Sequence, residues 1–250
     1  MIEVEEQNTT DSASRDVAVN ELASHLGVRA ERGRRFAELT SLRVGGAIDW
    51  VLSPQTEEQA AALVHELEQK EIAWRPLGSG SNVLADDGAH HYVILSVKDL
   101  KADPVFSGAW VSVSAGYSLP RLCIDSGRRG LSGIEGLSGI PGTVGGALWM
   151  NAGAFGQEIG TVVETVRVAR AGRVVEIPGS EVKWNYRHTS FRKASYFWAR
   201  RWFCIRATPK KFARAWKKPR VNAWRHSRTA RAPPVVSSRI HPRVRSAPAR

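Results

Sequence analysis

Between Gly127 and Gly160 the chain carries eleven of its 22 glycines, and seven of these, from Gly127 to Gly145, recur at every third residue. No regular helix or strand tolerates that density, because each glycine adds conformational freedom that folding must remove. Glycine does reach positive φ without steric cost and lets another backbone or a ligand come close. The stretch therefore reads as main chain wrapped around something bulky. A collagen-type chain also repeats glycine every third residue. Here the run ends after seven, includes only Pro141 as an imino acid, and carries Ile134, Leu137, Ile140 and Val144, which require a core. A ligand-cradling loop is the better reading.

With 250 residues and 42% hydrophobic content, the chain can build one large domain or two small ones around a real core. No apolar run approaches the ~18 residues of a membrane helix. The N-terminus opens on Glu3, Glu5 and Glu6 rather than on the basic and apolar blocks of a signal peptide, so a soluble, cytoplasmic protein without a membrane partner is expected. Cys123 and Cys204 lie far apart with no Cys-x-x-Cys and no matching His spacing, which supports neither a disulfide framework nor a metal site. Cys123, on an apolar helix face, reads as core. The net charge of +12 is unevenly spread: residues 1–192 hold all 24 acidic residues against 19 basic ones, whereas residues 193–250 hold 17 basic residues and no acidic one.

Residues 1 to about 15 read as a disordered lead, Val17–Leu26 as a short helix, and order is expected from near Phe36. The Gly45-Gly46 pair runs into an apolar strand ending at Leu52, and Thr56-Glu-Glu-Gln59 has the form of a capping box with Thr56 as N-cap. In the helix that follows, Ala60, Leu63, Val64 and Leu67 repeat at helical spacing and leave Glu57, Glu58, Glu66 and Glu68 for the wet side. Trp74–Leu77 and Tyr92–Val97 read as strands flanking a loop, which suggests a small parallel unit over residues 36–99. Residues 100–192 read as a second, mainly antiparallel unit, with a strand at Trp110–Ser114, a helix at Leu119–Ser126 and a hairpin across Ala171-Gly172.

Gly78-Ser79-Gly80-Ser81-Asn82 follows a strand directly, so its backbone amides and the Ser79 and Ser81 hydroxyls can form a concave nest for a phosphate or pyrophosphate. It is not a Walker loop, which ends in Gly-Lys-[Ser/Thr], nor a Rossmann fingerprint, which needs a third glycine where Val83 stands. Alone it reads as a turn. Paired with the glycines from Gly139 to Gly146, it gives two glycine-rich segments in different sub-units, as a dinucleotide in a cleft between two lobes requires.

Five motifs then occur in order: Thr40-Ser-Leu-Arg-Val-Gly-Gly, Gly78-Ser-Gly-Ser-Asn-Val-Leu, the Gly133-to-Gly146 segment, Asn151-Ala-Gly-Ala-Phe-Gly, and Tyr186-Arg-His-Thr-Ser-Phe-Arg192. Together, over about Phe36 to Arg192, they resemble the UDP-N-acetylenolpyruvoylglucosamine reductase (UDP-N-acetylmuramate dehydrogenase) family. The resemblance implies an α+β FAD-binding module of the vanillyl-alcohol-oxidase type, with two lobes holding the flavin noncovalently. Gly78, Ser79, Gly80, Ser81, Asn82 and Val83 would take the pyrophosphate, and Pro141, Gly142, Thr143, Val144, Gly145 and Gly146 its opposite side. Asn151 and Gly153 would lie near the isoalloxazine, and Gly116 would make a further backbone contact. The family passes a hydride from NADPH through FAD to the enolpyruvyl β-carbon of its UDP-sugar substrate, a step of peptidoglycan precursor synthesis. Arg187 matches its catalytic arginine, a fixed cation for the charge that builds on the carboxylate. Tyr186 would touch the substrate.

Plainer readings stand beside these. Arg187 alone would be a surface arginine, Asn151 a turn residue, Trp149 and Trp184 core or rim, and His90-His91 solvent-exposed. Glu135 and Asp125 show no partner carboxylate for acid/base work. The family's third domain carries a Gly-Ser-x-Phe-x-Asn-Pro motif and a late glutamate, and neither occurs after Arg192. This substrate domain is expected to be absent and the chain catalytically incomplete. Residues 193–250 instead form an aberrant basic tail with four tryptophans and no glycine. A shifted reading frame accounts for it, since Met-Glu-Glu codons read one nucleotide late give Trp-Lys-Lys, the order at Trp216-Lys217-Lys218. A nucleic-acid-binding arm is the less favoured alternative, because its aromatics follow no module pattern and its prolines favour disorder.

Overall fold

The computed structural model describes residues 12–100, 102–192 and 201–202. The acidic lead, most of the basic tail, and with them the frame-shift and basic-arm readings, lie outside the described residues.

Regular structure begins with α1 (Ser12–His25) and β1 (Arg29–Arg32), well before Phe36, and both belong to the first lobe. There follow α2 (Phe36–Leu39), β2 (Ile48–Ser53), α3 (Glu57–Gln69), β3 (Trp74–Leu77) and β4 (His90–Ser96). The strand order is β1-β2-β4-β3, with β1 antiparallel to β2 and the other pairs parallel. A parallel sheet needs both faces covered. Trp50, Leu52, Val93 and Leu95 face one core with α3, whereas Ile48, Val51, Leu77 and Ile94 pack with Phe36 on the other side. A register shift between Ile48 and Trp50 reverses the alternation, which is why Ile48 shares the face of Val51 rather than that of Trp50.

α3 starts where the sequence says it should: Thr56 accepts from the Gln59 amide and the Gln59 side chain reaches back, closing the capping box. Leu63 and Leu67 are fully buried, each contributing about 2 kcal/mol. Glu57 does not lie on the wet side. It is 4% exposed, and its carboxylate meets the Arg167 guanidinium at 3.0 and 3.1 Å. The helix phase places Glu57 toward the second lobe, a partner no local pattern announces.

The second lobe comprises β5 (Val105–Ser107), β6 (Trp110–Val113), α4 (Leu119–Arg128), α5 (Val144–Trp149), β7 (Gly153–Ala154), β8 (Gln157–Glu158), β9 (Thr165–Arg170), β10 (Arg173–Pro178), β11 (Trp184–Asn185), β12 (His188–Thr189) and β13 (Arg201–Trp202). All its strand pairs are antiparallel. Ala171 (φ 47°) and Gly172 (φ 73°) both adopt the left-handed region that a two-residue hairpin turn demands. β9 and β10 pack on α3, so that one helix is shared between the lobes. Arg201 and Trp202, from the tail, pair with Val113 and Ser112 of β6, so this part of the tail belongs to the sheet. His90 also departs from its expectation: its side chain is 11% exposed, with its ring edge-on to Phe36 at 4.8 Å. Cys123 is core, its thiol donating to the Ile134 carbonyl.

Candidate functional site: two glycine loops and an arginine turn

The loop after β3 is wedged against the end of α2. Gly80 has φ +67°, the Ser41 amide donates to its carbonyl, and a Cβ there would stand 2.5 Å from the Leu39 carbonyl oxygen. Asn82 is exposed, whereas Val83 packs on the Phe36 cluster. Across from this loop lies Pro141–Gly146. Ser81 Oγ donates to the Pro141 carbonyl at 3.0 Å, bridging sixty residues of sequence. A Cβ on Gly78 would come 2.6 Å from Thr143 Oγ1, and one on Gly142 would come 3.1 Å from Ser81 Oγ and 3.8 Å from Ser79 Oγ. Both loops thus turn bare backbone toward each other. Between them Ser79 Oγ is enclosed and has no hydrogen-bond partner among the described residues.

The second loop is pinned from behind. The Leu119 amide donates to Gly142 O, the Val144 amide to Tyr117 O and the Gly145 amide to Ala115 O. Thr143 caps α5 by accepting from the Gly146 amide. The amides of Val144, Gly145 and Gly146 are therefore committed within the fold. Gly116 has a packing reason to be glycine: its amide donates to Leu100 O, and a Cβ would lie 2.2 Å from Val97 O. Tyr117 closes this wall. Its hydroxyl donates to Asp125 Oδ2 at 2.7 Å, and burial, reinforced by that carboxylate, pushes the phenol up to about 12.

Asn151 is fully buried at φ 42°, and each polar atom of its side chain has a partner. Nδ2 donates to Glu158 Oε2 (2.9 Å) and to Asn185 O (3.1 Å), while Oδ1 accepts from the Gly160 amide (3.1 Å). Gly153 is glycine because Gln157 O and Glu158 Cγ would both stand 2.9 Å from a Cβ. Its carbonyl accepts from Arg187 Nη2 at 2.8 Å. Arg187 sits at φ 54° at the tip of the β11–β12 hairpin, with its guanidinium 5.0 Å from the ring of Tyr186, which is 78% exposed. The structure thus brings Arg187, Gly153 and Asn151 together, and separately joins residues 78–81 to 141–143.

Three residues that the sequence reading passed over or set aside hold these parts in place. Gln157 accepts from the Gly136 amide and donates to Glu135, which also takes the Gly133 amide, locking the glycine-repeat turn to β8. Glu158 is the carboxylate beneath Asn151. The only local signal was a polar pair directly after the Phe155-Gly156 turn, which any exposed hairpin would carry.

The chain is similar to known proteins in both sequence and fold. The FAD binding domain family matches residues 48–177, just over half the chain. The UDP-N-acetylenolpyruvoylglucosamine reductase of Anoxybacillus flavithermus is 31% identical over 188 residues, covering 75% of this chain and 60% of that protein. The corresponding protein of Chloroherpeton thalassium is 37% identical over 166 residues, covering 66% and 53%. The crystal structure of the Thermus caldophilus enzyme superposes with a TM-score of 0.60 at 31% identity, covering 75% of this chain and 66% of the other. This chain thus spans less than two thirds of the length of these relatives. It belongs to the FAD binding domain family, and over three quarters of its length it is similar to UDP-N-acetylenolpyruvoylglucosamine reductases.

Proposed function

We propose that the chain binds FAD noncovalently between Gly78–Val83 and Pro141–Gly146 and forms the flavin-binding part of a cytoplasmic reductase that acts on UDP-N-acetylenolpyruvoylglucosamine. One observation carries this reading: Ser79 Oγ, enclosed without a hydrogen-bond partner among the described residues where two glycine loops turn bare backbone toward each other. An unmatched buried hydroxyl costs about 1–3 kcal/mol, and a pyrophosphate oxygen is the acceptor that would remove the penalty. Glycine at 78 and 142 lets the two loops close around that hydroxyl, since a Cβ at 78 would stand 2.6 Å from Thr143 Oγ1 and one at 142 would stand 3.1 Å from Ser81 Oγ. When bound, FAD supplies hydride relay from NADPH to the enolpyruvyl β-carbon, chemistry no side chain can perform.

The protein's own contribution lies at the Arg187 turn. Hydride addition builds negative charge on the substrate's α-carbon and carboxylate, and a fixed cation stabilises it most where it needs no reorganisation. Arg187 meets that need: the Gly153 carbonyl and the Tyr186 ring restrain its guanidinium. Product formation also draws on the part of the relatives that this chain does not span, so these 250 residues are expected to bind flavin without completing turnover.

Purified full-length chain, reconstituted with FAD and freed of excess, should show bound-flavin absorption. A folded protein that stays colourless refutes the site, and normal substrate turnover by this chain alone refutes its incompleteness.

A further inference from the structure

The family resemblance sets Asn151 near the isoalloxazine, yet each polar atom of its side chain already has a protein partner. It is 0% exposed, and both Nδ2 bonds and its Oδ1 bond end on protein. Those bonds reach three separate segments: Glu158 of the β7–β8 hairpin, Gly160 in the turn after it, and Asn185, which leads into the Tyr186-Arg187 turn. We infer that Asn151 is the positioning residue for Arg187, tying the arginine turn to the hairpin that receives its guanidinium. The inference rests on the reading of Arg187 as the cation of the reaction.

The hairpins need such a tie. β7–β8 and β11–β12 have two residue pairs each, too few to hold a geometry in water unaided. Arg187 is moreover held in a backbone conformation that non-glycine residues seldom adopt, so surrounding bonds must over-determine it. Two side chains fasten β11–β12 to the end of α5: Asn151 through Asn185 O, and Thr189, whose hydroxyl donates to Trp149 O at 3.1 Å. Of the two, Asn151 also reaches the opposite hairpin, the one whose Gly153 carbonyl takes Arg187 Nη2. Only an amide suits this place. Glu158 Oε2 and Asn185 O both require a donor and the Gly160 amide requires an acceptor, which neither Asp nor a hydroxyl side chain satisfies together.

The test compares the full chain with E158Q, N151D and the double variant N151D/E158Q. In E158Q an amide oxygen still accepts from Asn151, so all ties persist. N151D sets two carboxylates together and should destabilise the whole fold. In the double variant the amide at 158 donates to the carboxylate at 151, which rescues folding but leaves Asn185 O without its donor. Hydrogen exchange over residues 183–190 should then quicken by about tenfold, the value of one hydrogen bond, while α3 exchanges as in the wild type. E158Q should exchange as the wild type does throughout, and FAD should bind the double variant within about threefold of wild type.

Unchanged exchange at 183–190 in the double variant overturns the inference. So does an affinity loss of about tenfold for FAD, which would set the amide against the cofactor. Should the double variant fail to fold, native-state exchange of the unaltered chain decides: residues 151–160 and 183–190 must open together, and independent opening overturns it. A wild-type chain that binds no FAD sinks the proposed function, and the exchange measurements still decide the role of Asn151.

Discussion

The Gly78–Val83 loop and the Asn151–Gly160 segment look alike as sequence, both small, polar and rich in glycine, but the fold treats them oppositely. In the first, the glycines pack against Thr143 and the end of α2, and Ser79 Oγ is left without a hydrogen-bond partner among the described residues. In the second, Gly153 and Gly160 are filled against Glu158 and the Trp184 ring, and every polar atom of the Asn151 side chain is matched inside the protein. On the proposed function, the first segment receives the cofactor and the second holds the scaffold. Unmatched buried polar groups are rare in folded chains because each costs free energy, so an orphan hydroxyl beside bare backbone is a mark of reception that glycine content is not.

The largest effect is expected where the receiving loop meets the scaffold. Gly80→Ala would place a Cβ 2.5 Å from a backbone carbonyl at a φ that alanine rarely adopts, and should cost about 3 kcal/mol of unfolding free energy by chemical denaturation. A wild-type midpoint would show that the loop shifts freely and is no rigid cradle. Asn151→Ala leaves a donor, a carbonyl and a carboxylate unmatched in the holding segment, and should lower stability by about 2 kcal/mol with little change in FAD affinity.

Ser79→Ala should do the reverse: the flavin-free protein, relieved of an unmatched hydroxyl, should gain about 1–3 kcal/mol of stability, while FAD binds about tenfold more weakly, as loss of one hydrogen bond to an anion predicts. If instead stability falls and affinity holds, the contrast between the two segments fails. The smallest effect concerns the wall behind Pro141–Gly146. Because the Tyr117 phenol is raised from 10.0 to about 12 in the fold, its neutral form is favoured there. That contribution is complete below pH 10 and is lost as pH rises to about 12. A plot of unfolding free energy against pH should therefore decline in this window, and Tyr117→Phe should flatten it.

Much of the architecture was readable beforehand. The capping box at Thr56, the apolar stripe of α3, the β9–β10 turn at Ala171-Gly172 and the parallel-then-antiparallel order are local patterns, and local patterns survive folding when the core faces they announce are buried. The expectations that failed depended on distant partners. Glu57 reads as a wet position from its charge, yet it shares the helical phase of Ala60 and Val64 and is buried against Arg167, 110 residues away in sequence. The helix read at Val17–Leu26 starts earlier, at Ser12, inside the stretch read as a disordered lead, and β1 carries no apolar stripe that would announce it, yet it pairs with β2.

At the site, the chain's motifs announced which residues matter without saying what each one touches. Glycine at 78, 80, 142 and 153 could be read from sequence as a need for close approach, since no other side chain allows it. Whether the approaching group is a ligand, a carbonyl or another side chain depends on what folding brings opposite, and hydrogen-bond partners sixty or more residues apart leave no trace in local spacing. Tertiary contact alone made Ser79 a vacant donor, Asn151 a tie and Gly116 a packing residue.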